Sequence, residues 1–172
     1  MKSHKLLKSF VTCAFMLLSV YGMAQVVGDY RSQATGPWTT LATWQRLNST
    51  GPEVWATPTA LQGFPGQLVV PGTVTIRNGH IATFDVALAT SIGNLVVGEG
   101  ATGSLVFGNN ATNRTLTMTG DVTVNTGGSF TSGLFAATGH VINIAGNITN
   151  NGTINLNAFT TDVTTTTLTG AS

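Results

Sequence analysis

Glycines recur at a nearly constant spacing from residue 79 onward, and this spacing constrains the fold more than any other feature of the chain. In the first series, each glycine precedes a small polar or His residue and then an apolar one. Its members are 24, 25 and 24 residues apart: Gly79, Gly103, Gly128 and Gly152. A second series, phased between them, has intervals of 27, 26 and 24 residues: Gly93, Gly120, Gly146 and Gly170. Similarity at a fixed period in this range indicates a repeat protein whose units bury their apolar faces against one another.

The segments between these glycines are short alternating runs rich in Thr, Val and Ile, such as SLVFG (104–108) and VINIAGNI (141–148). Alternation with β-branched residues and Gly/Asn punctuation predicts short strands. No window shows a helical period bounded by caps, so we expect almost no helix beyond the N-terminal leader. Alignment on the first glycine series gives one inward-facing, stacked column: Ile81, Leu105, Phe130 and Ile154. Alignment on the second gives another: Met118, Ile144 and Leu168, with Ser91 interrupting it in the first turn.

Stacked apolar residues at one-turn spacing predict an all-β fold, a right-handed single-stranded parallel β-helix. An antiparallel sandwich shows turn signals every 8–12 residues or so but does not require a constant longer register. Asn94, Asp121 and Asn147 follow the second glycine series, and we expect them to stack as a hydrogen-bonding ladder from coil to coil. The alternative, a weak Ca²⁺ site built from their oxygens, is less favoured because the trio carries a single charge.

The chain divides into three segments. Residues 1–24 combine a basic start, the apolar run FVTCAFMLLSV (10–20) and small residues before Gln25, a pattern typical of a secretory signal peptide. A membrane anchor needs about 20 apolar residues, so this run is too short. Residues 25–70 contain all three tryptophans and form a Trp-rich N-terminal cap segment. Residues 71–172 form the β-helix coils, and their end partway through a turn predicts continuation in a longer parent chain.

Removal of the leader changes the charge of the protein. The formal charge of the whole chain is +1, but residues 25–172 keep four Arg and six acidic residues, which gives 4 − 6 = −2. A lysine-free, mildly acidic surface argues against nucleic acid or anionic membranes as partners. The only cysteine, Cys13, leaves with the leader, so the mature fold has no disulfide.

The cap segment contains the main candidate binding residues, which are aromatic: Tyr30, Trp38, Trp44 and Trp55. Exposed rings with a polar rim bind carbohydrate, whereas buried rings would seal the open first coil as a lid. We favour the lid, because aromatic residues more often pack than bind. No catalytic, cofactor or metal site is expected. The six acids are dispersed rather than paired as glycoside hydrolysis requires, and His80 and His140 have no partners at metal-ligand spacing.

The segments GDYRSQATGPWTTLATWQRL (28–47), GPEVW (51–55) and VPGTVTIRNGHIATFDV (70–86) resemble the start of large secreted surface proteins of Bacteroidetes-type bacteria. The coils LVVGEGATGSLVFG and GDVTVNTGGSF are also similar to the eight-glycine extracellular domain. This resemblance implies β-helix coils, export by the general secretory route followed by type IX secretion, and an adhesin-like role. It implies no catalytic residues.

We therefore expect a secreted, non-enzymatic β-helix module, adhesin-like or a structural surface spacer, attached to the cell surface through a missing C-terminal region. Its expected partners are surface polysaccharide or a host or neighbouring cell, with no membrane insertion after signal cleavage. Two alternatives stay open. One is the N-terminal part of a carbohydrate-active β-helix enzyme, a polysaccharide lyase or hydrolase. The other is a carbohydrate-binding module acting through the Trp region.

Overall fold

The computed structural model describes residues 25–108, 112–133, 139–157 and 164–169. The predicted signal peptide (1–24), the last glycine of the second series (Gly170) and the acid Asp162 lie outside these ranges. The strands are β1 Tyr30–Ser32, β2 Gly36–Pro37, β3 Trp44–Thr50, β4 Glu53–Ala56, β5 Thr73–Ile76, β6 Ile81–Phe84, β7 Asn94–Val97, β8 Ser104–Phe107, β9 Thr115–Met118, β10 Val122–Val124, β11 Ser129–Thr131, β12 His140–Ile144, β13 Ile148–Asn150, β14 Thr153–Asn155 and β15 Thr164–Leu168. Within the described ranges one helix occurs, the three-residue 3-10 turn Leu41–Thr43.

The strands form three sheets, and from β5 onward successive strands pass from one sheet to the next. The sheet orders are β13-β10-β7-β5-β1-β3-β4, β14-β11-β8-β6-β2 and β15-β12-β9. The strand pairs from β5 onward are parallel. In the described ranges, β7 to β15 therefore make three complete three-stranded coils, and β5, β6 and a bridge at Ile92 make a partial coil before them. The predicted all-β parallel solenoid is confirmed.

The N-terminal segment closes one end of this stack. Strand β1 pairs in parallel with β5 of the partial coil, and β2 pairs in parallel with β6. On its other side, β1 pairs antiparallel with β3, and β3 pairs antiparallel with β4. The antiparallel hairpin ends the series of parallel strands in the seven-stranded sheet, so β5 does not present its outer edge to solvent. The N-terminal cap that the tryptophans predicted is present.

The interior is built from alternate residues of each strand. In β7, for example, Leu95 and Val97 are fully buried while Asn94 and Val96 face outward. Neighbouring coils place like residues over one another, because a parallel register keeps equivalent positions on the same side of each sheet. Burial of each large apolar side chain contributes about 1.5–3 kcal/mol, so the columns are the main source of stability in a fold without disulfides.

The predicted first column is correct in three coils and wrong in one. Leu105 lies opposite Phe130, and Phe130 lies opposite Ile154, as expected. In the partial coil, however, Leu105 lies opposite Ala82, while Ile81 pairs with Ser104 and is 45% exposed. The inward-facing residue Ala82 therefore comes three residues after Gly79, whereas Leu105 comes two residues after Gly103. A shift of one residue moves a strand side chain to the opposite face of the sheet, which explains why Ile81 is exposed.

The second column shows the same one-residue difference in its first turn. Ile144 lies between Met118 and Leu168, as predicted. The partial coil contributes Ile92, which bridges to Met118 and is fully buried, so the column continues one residue after Ser91. Burial declines in the last coil, where Ile148 is 40% and Leu168 63% exposed.

One glycine shows why the corners tolerate so little variation. Gly127 has a φ of 75°, in the left-handed region, and a Cβ at this position would collide with the carbonyl oxygen of Ala101 in the preceding coil. Gly79 has almost the same φ, 77°, but a Cβ there would meet no atom within 4 Å. Backbone conformation requires glycine at both corners, and the close approach of coils adds a second requirement at Gly127.

Candidate functional site

Two tryptophans of the cap segment are fully buried and cover the first turn of the solenoid. The rings of Trp38 and Trp44 meet edge to face, with centroids 4.7 Å apart. Trp38 packs in the same way on Phe84 of β6, at 5.2 Å. The series continues from Phe84 to Phe107 at 5.1 Å and from Phe107 to Phe130 at 6.0 Å. The cap and three successive turns therefore share one aromatic column.

The polar atoms of the buried aromatic residues all have backbone acceptors. Trp38 Nε1 donates to the carbonyl of Pro65 at 2.9 Å, and Trp44 Nε1 donates to the carbonyl of Trp38 at 2.7 Å. The hydroxyl of Tyr30, whose pKa is raised by burial and lowered in part by Arg46, donates to the carbonyls of Gln62 and Gly63. These three rings have the lid position that the sequence favoured. Buried in this way, they have no face to offer a glycan.

The fourth aromatic candidate is placed differently. Trp55 lies in β4, the last strand of the seven-stranded sheet, and is only half-buried. The guanidinium carbon of Arg31 lies 4.1 Å from the centroid of its ring, a cation–π contact. Arg31 Nε donates to Gln45 Oε1 at 2.8 Å, and the indole N–H of Trp55 donates to Glu53 at 3.2 Å. We refer to Arg31, Gln45, Glu53 and Trp55 as the Trp55 cluster.

A second arginine lies on the same sheet face. Arg31 pairs with Thr75, so Arg77, two residues further along the chain, points to the same side. Partial burial, and then repulsion from Arg77, lower the pKa of the Arg31 guanidinium below its ordinary value, against attraction from Glu99 and Glu53. Arg77 contacts Glu99 at 3.4 Å, but both side chains are about two-fifths exposed (39% and 42%), so this ion pair adds little stability.

The predicted ladder is present and extends further than expected. The backbone N–H of Asp121 donates to Asn94 Oδ1 at 2.8 Å, and that of Asn147 donates to Asp121 Oδ1 at 2.7 Å. Asp29 repeats the arrangement in the cap, where its Oδ1 accepts the N–H of Thr73 at 2.8 Å. Because these oxygens accept backbone donors, a structural role explains them.

The sequence contains a signal for the cap end of the ladder that the glycine period alone does not reveal. Gly28-Asp29-Tyr30 and Gly72-Thr73-Val74 follow the same pattern as Gly120-Asp121-Val122 of the second glycine series. Their spacing is irregular because the hairpin β3–β4 and a long connection separate them. The pattern of residue types, rather than the period, identifies Asp29 as a ladder residue.

The other polar side chains of note serve the backbone as well. Asp85 accepts the N–H and hydroxyl of Thr39 at 3.1 and 2.8 Å. The buried hydroxyl of Ser32 accepts the N–H of Arg77 at 2.8 Å and lies 2.9 Å from His80 Nδ1. Both contacts join the cap to the first turn. Among the described residues, no three His, Cys, Asp or Glu side chains come close enough together to bind a metal ion.

Several outward-facing positions of the coil strands form rows of uncharged side chains. One row on the seven-stranded sheet consists of Thr75, Val96, Thr123 and Thr149. Others consist of Ser104, Ser129 and Thr153, and of Thr117, Asn143 and Thr167. These rows differ from the Trp55 cluster, which combines an aromatic ring with charged groups.

The fold and these surfaces define a class of protein: a parallel β-solenoid closed at its N-terminal end by an aromatic lid. In the ranges that the structure describes, no helix is both long and apolar enough to cross a membrane. Comparison of the chain with protein-family models, curated proteins and solved structures gives no significant match.

Proposed function

We propose that this chain is a non-enzymatic extracellular module that acts as a surface spacer or adhesin-like element. The observation that carries this proposal is the chemistry of the outer faces, where rows of Thr, Ser, Asn and Val side chains run from coil to coil. Such rows offer hydroxyl and amide groups to a surface polysaccharide or a neighbouring cell without attracting nucleic acid. The signal-peptide pattern of residues 1–24 supports a location outside the cell.

The rival proposal, the N-terminal part of a polysaccharide lyase or hydrolase, requires carboxylates that are free to act as acid, base or nucleophile. Hydrolysis uses a pair of carboxylates on either side of the scissile bond. In the described ranges, Asp29, Asp85 and Asp121 each accept a backbone N–H instead. This use of the carboxylates as backbone acceptors favours the structural role over the enzyme.

Two measurements test the proposal. After expression of the whole chain in a bacterial host, we expect the exported protein to begin at Gln25, and retention of residues 1–24 on a protein inside the cell would contradict the extracellular role. Incubated with pectin, alginate or hyaluronan, the exported protein should release neither reducing ends nor unsaturated sugars. Release that disappears in Asp121→Asn would overturn the non-enzymatic assignment, because Asn keeps the ladder acceptor while removing the carboxylate.

A carbohydrate-binding module is the second candidate, and one observation favours it. Of the four aromatic candidates in the cap, Trp55 alone is partly exposed to solvent, and it lies beside polar groups on an edge strand. An aromatic surface with a polar rim suits the apolar face and hydroxyl edge of a sugar ring. This role is compatible with a spacer, because the Trp55 cluster lies on the cap rather than on the coils.

A further inference from the structure

The guanidinium of Arg31 is held in place but has unused hydrogen-bonding capacity. Its Nε donates to Gln45, and its carbon lies over the Trp55 ring. Among the described residues, neither of its two terminal nitrogens has a hydrogen-bond acceptor. Since the side chain is already fixed at two points, a ligand bound to these nitrogens would cost little additional side-chain entropy.

The nearby carboxylates have other partners. Glu53 accepts the indole N–H of Trp55, and Glu99 contacts Arg77. Arg31 forms no ion pair within the described ranges, although it lies on the same face as Arg77. The local charge pattern thus leaves one oriented cation beside an aromatic ring.

We propose that the Trp55 cluster binds a carboxylate-bearing sugar, with the acid group on the terminal nitrogens of Arg31 and the sugar ring against the exposed part of Trp55. A guanidinium presents parallel N–H groups that match the two oxygens of a carboxylate. The aromatic surface selects a ligand with a flat apolar face next to its charge, as in a uronic acid. This inference rests on the carbohydrate-binding role and is independent of the spacer role.

A polyanion without such a face is a poorer match for the cluster. Nucleic acid binding uses several cations along a groove, whereas here Glu53 and Glu99 lie close to Arg31 and Arg77. The net charge of residues 25–172 is −2, which also opposes a long chain of phosphates. A single carboxylate next to a sugar ring needs one cation and one ring, and the cluster supplies both.

The test compares a trimer of galacturonic acid with the neutral galactose trimer, using the exported full-length protein and titration calorimetry. We expect the acidic trimer to bind and the neutral trimer to bind at least about tenfold more weakly, as for loss of a hydrogen bond to a charged group. Arg31→Gln should reduce affinity for the acidic trimer by a similar factor. Glu99→Gln should increase it, because a repulsive charge near the ligand is removed.

Arg77→Gln is the matched control, since it removes a cation from the same face that already has a carboxylate partner. Its effect should be less than about threefold, within the range of a solvent-screened charge. Fluorescence gives a second measurement that needs no variant: because Trp38 and Trp44 are buried, a soluble quencher should act mainly on Trp55, and the acidic trimer should protect it.

The possible outcomes separate the two proposals. Equal binding of both trimers, or equal losses in Arg31→Gln and Arg77→Gln, would overturn the acidic-sugar assignment and leave carbohydrate binding standing. Failure of both trimers to bind or to protect Trp55 would overturn both. The thermal midpoint of each variant, measured alongside, should stay close to that of the wild type, because Glu99 is exposed and Arg31 is only partly buried.

Discussion

At the scale of single residues, the cap shows how one side-chain type serves two purposes. Trp38 and Trp44 are fully buried, and the indole N–H of each donates to a backbone carbonyl. Trp55 directs its N–H to the carboxylate of Glu53 on the surface and is itself partly exposed to solvent. A buried indole therefore stabilises the solenoid, while an exposed one remains available for recognition.

Substitution of each tryptophan should separate these roles. We expect Trp38→Ala or Trp44→Ala to lower the free energy of unfolding by about 3–5 kcal/mol, because each leaves a large cavity and removes contacts with the aromatic column. Trp55→Ala should cost about 1 kcal/mol or less, as for a partly exposed residue on an edge strand. Chemical denaturation with far-UV circular dichroism measures all three. Equal losses at Trp44 and Trp55 would contradict the assignment of a lid.

At the scale of strands and corners, most of the architecture could be predicted from the sequence. The glycine period and the alternating runs predicted parallel strands, the register of Leu105, Phe130 and Ile154, and the Asn94–Asp121–Asn147 ladder. The glycine period predicts the wrong register where the length of a corner varies. It placed the side chain of Ile81 in the interior of the solenoid, whereas the structure exposes it. The alternation of side chains along this strand would have given the correct register. A buried Ile81 would also turn Thr83 and Asp85 inward and Phe84 outward.

The proposed binding surface was harder to predict than the fold. Four aromatic residues were candidates, and the sequence does not distinguish a ring under the hairpin from one at its edge. The contact between Arg31 and Trp55 joins residues 24 positions apart through the pairing of β1 with β3 and of β3 with β4. Antiparallel pairing in the cap has no periodic signal, so this arrangement required the structure.

Gly79 and Gly127 have nearly the same backbone conformation, but only Gly127 lies against the neighbouring coil. Substitution of both therefore separates the cost of backbone strain from the cost of a steric clash between coils. Gly79→Ala should cost about 1–2 kcal/mol, the cost of a left-handed residue with a Cβ. Gly127→Ala should cost at least about 1–3 kcal/mol more, because its methyl group would also displace the Ala101 carbonyl of the previous coil. Thermal and denaturant unfolding of both variants provides the comparison. Similar losses would show that the coils separate easily at this corner.

At the scale of the whole molecule, stability should be uneven along the solenoid axis. The cap and the first coils share the aromatic column from Trp44 to Phe130, whereas in the last coil Ile148 and Leu168 are exposed. A solenoid gains its stability mainly from contacts between neighbouring coils, so we expect the coil whose apolar side chains are most exposed to open first.

Hydrogen exchange monitored by NMR or mass spectrometry should show this gradient. Backbone amides of β7, β8 and β10 lie between strands on both sides and should exchange most slowly, while those of β13, β14 and β15 should exchange fastest. Addition of a low denaturant concentration should open the last coil before the cap. Uniform exchange from β5 to β15 would indicate that the molecule opens as a single unit.

Because the solenoid repeats one three-strand coil, its length changes in steps of one coil. Adjacent coils are separated by the hydrogen-bonding distance between strands, about 4.8 Å, so deleting or duplicating one coil changes the length by that step. The two faces of a coil, toward the preceding coil and toward the following one, carry the same kind of residues. Val122, for example, lies between Leu95 of the preceding coil and Ile148 of the following coil. Small differences in corner length are absorbed within a coil and leave the step unchanged. Unequal recombination between its own repeats can therefore change the length of such a molecule without requiring a new hydrophobic core.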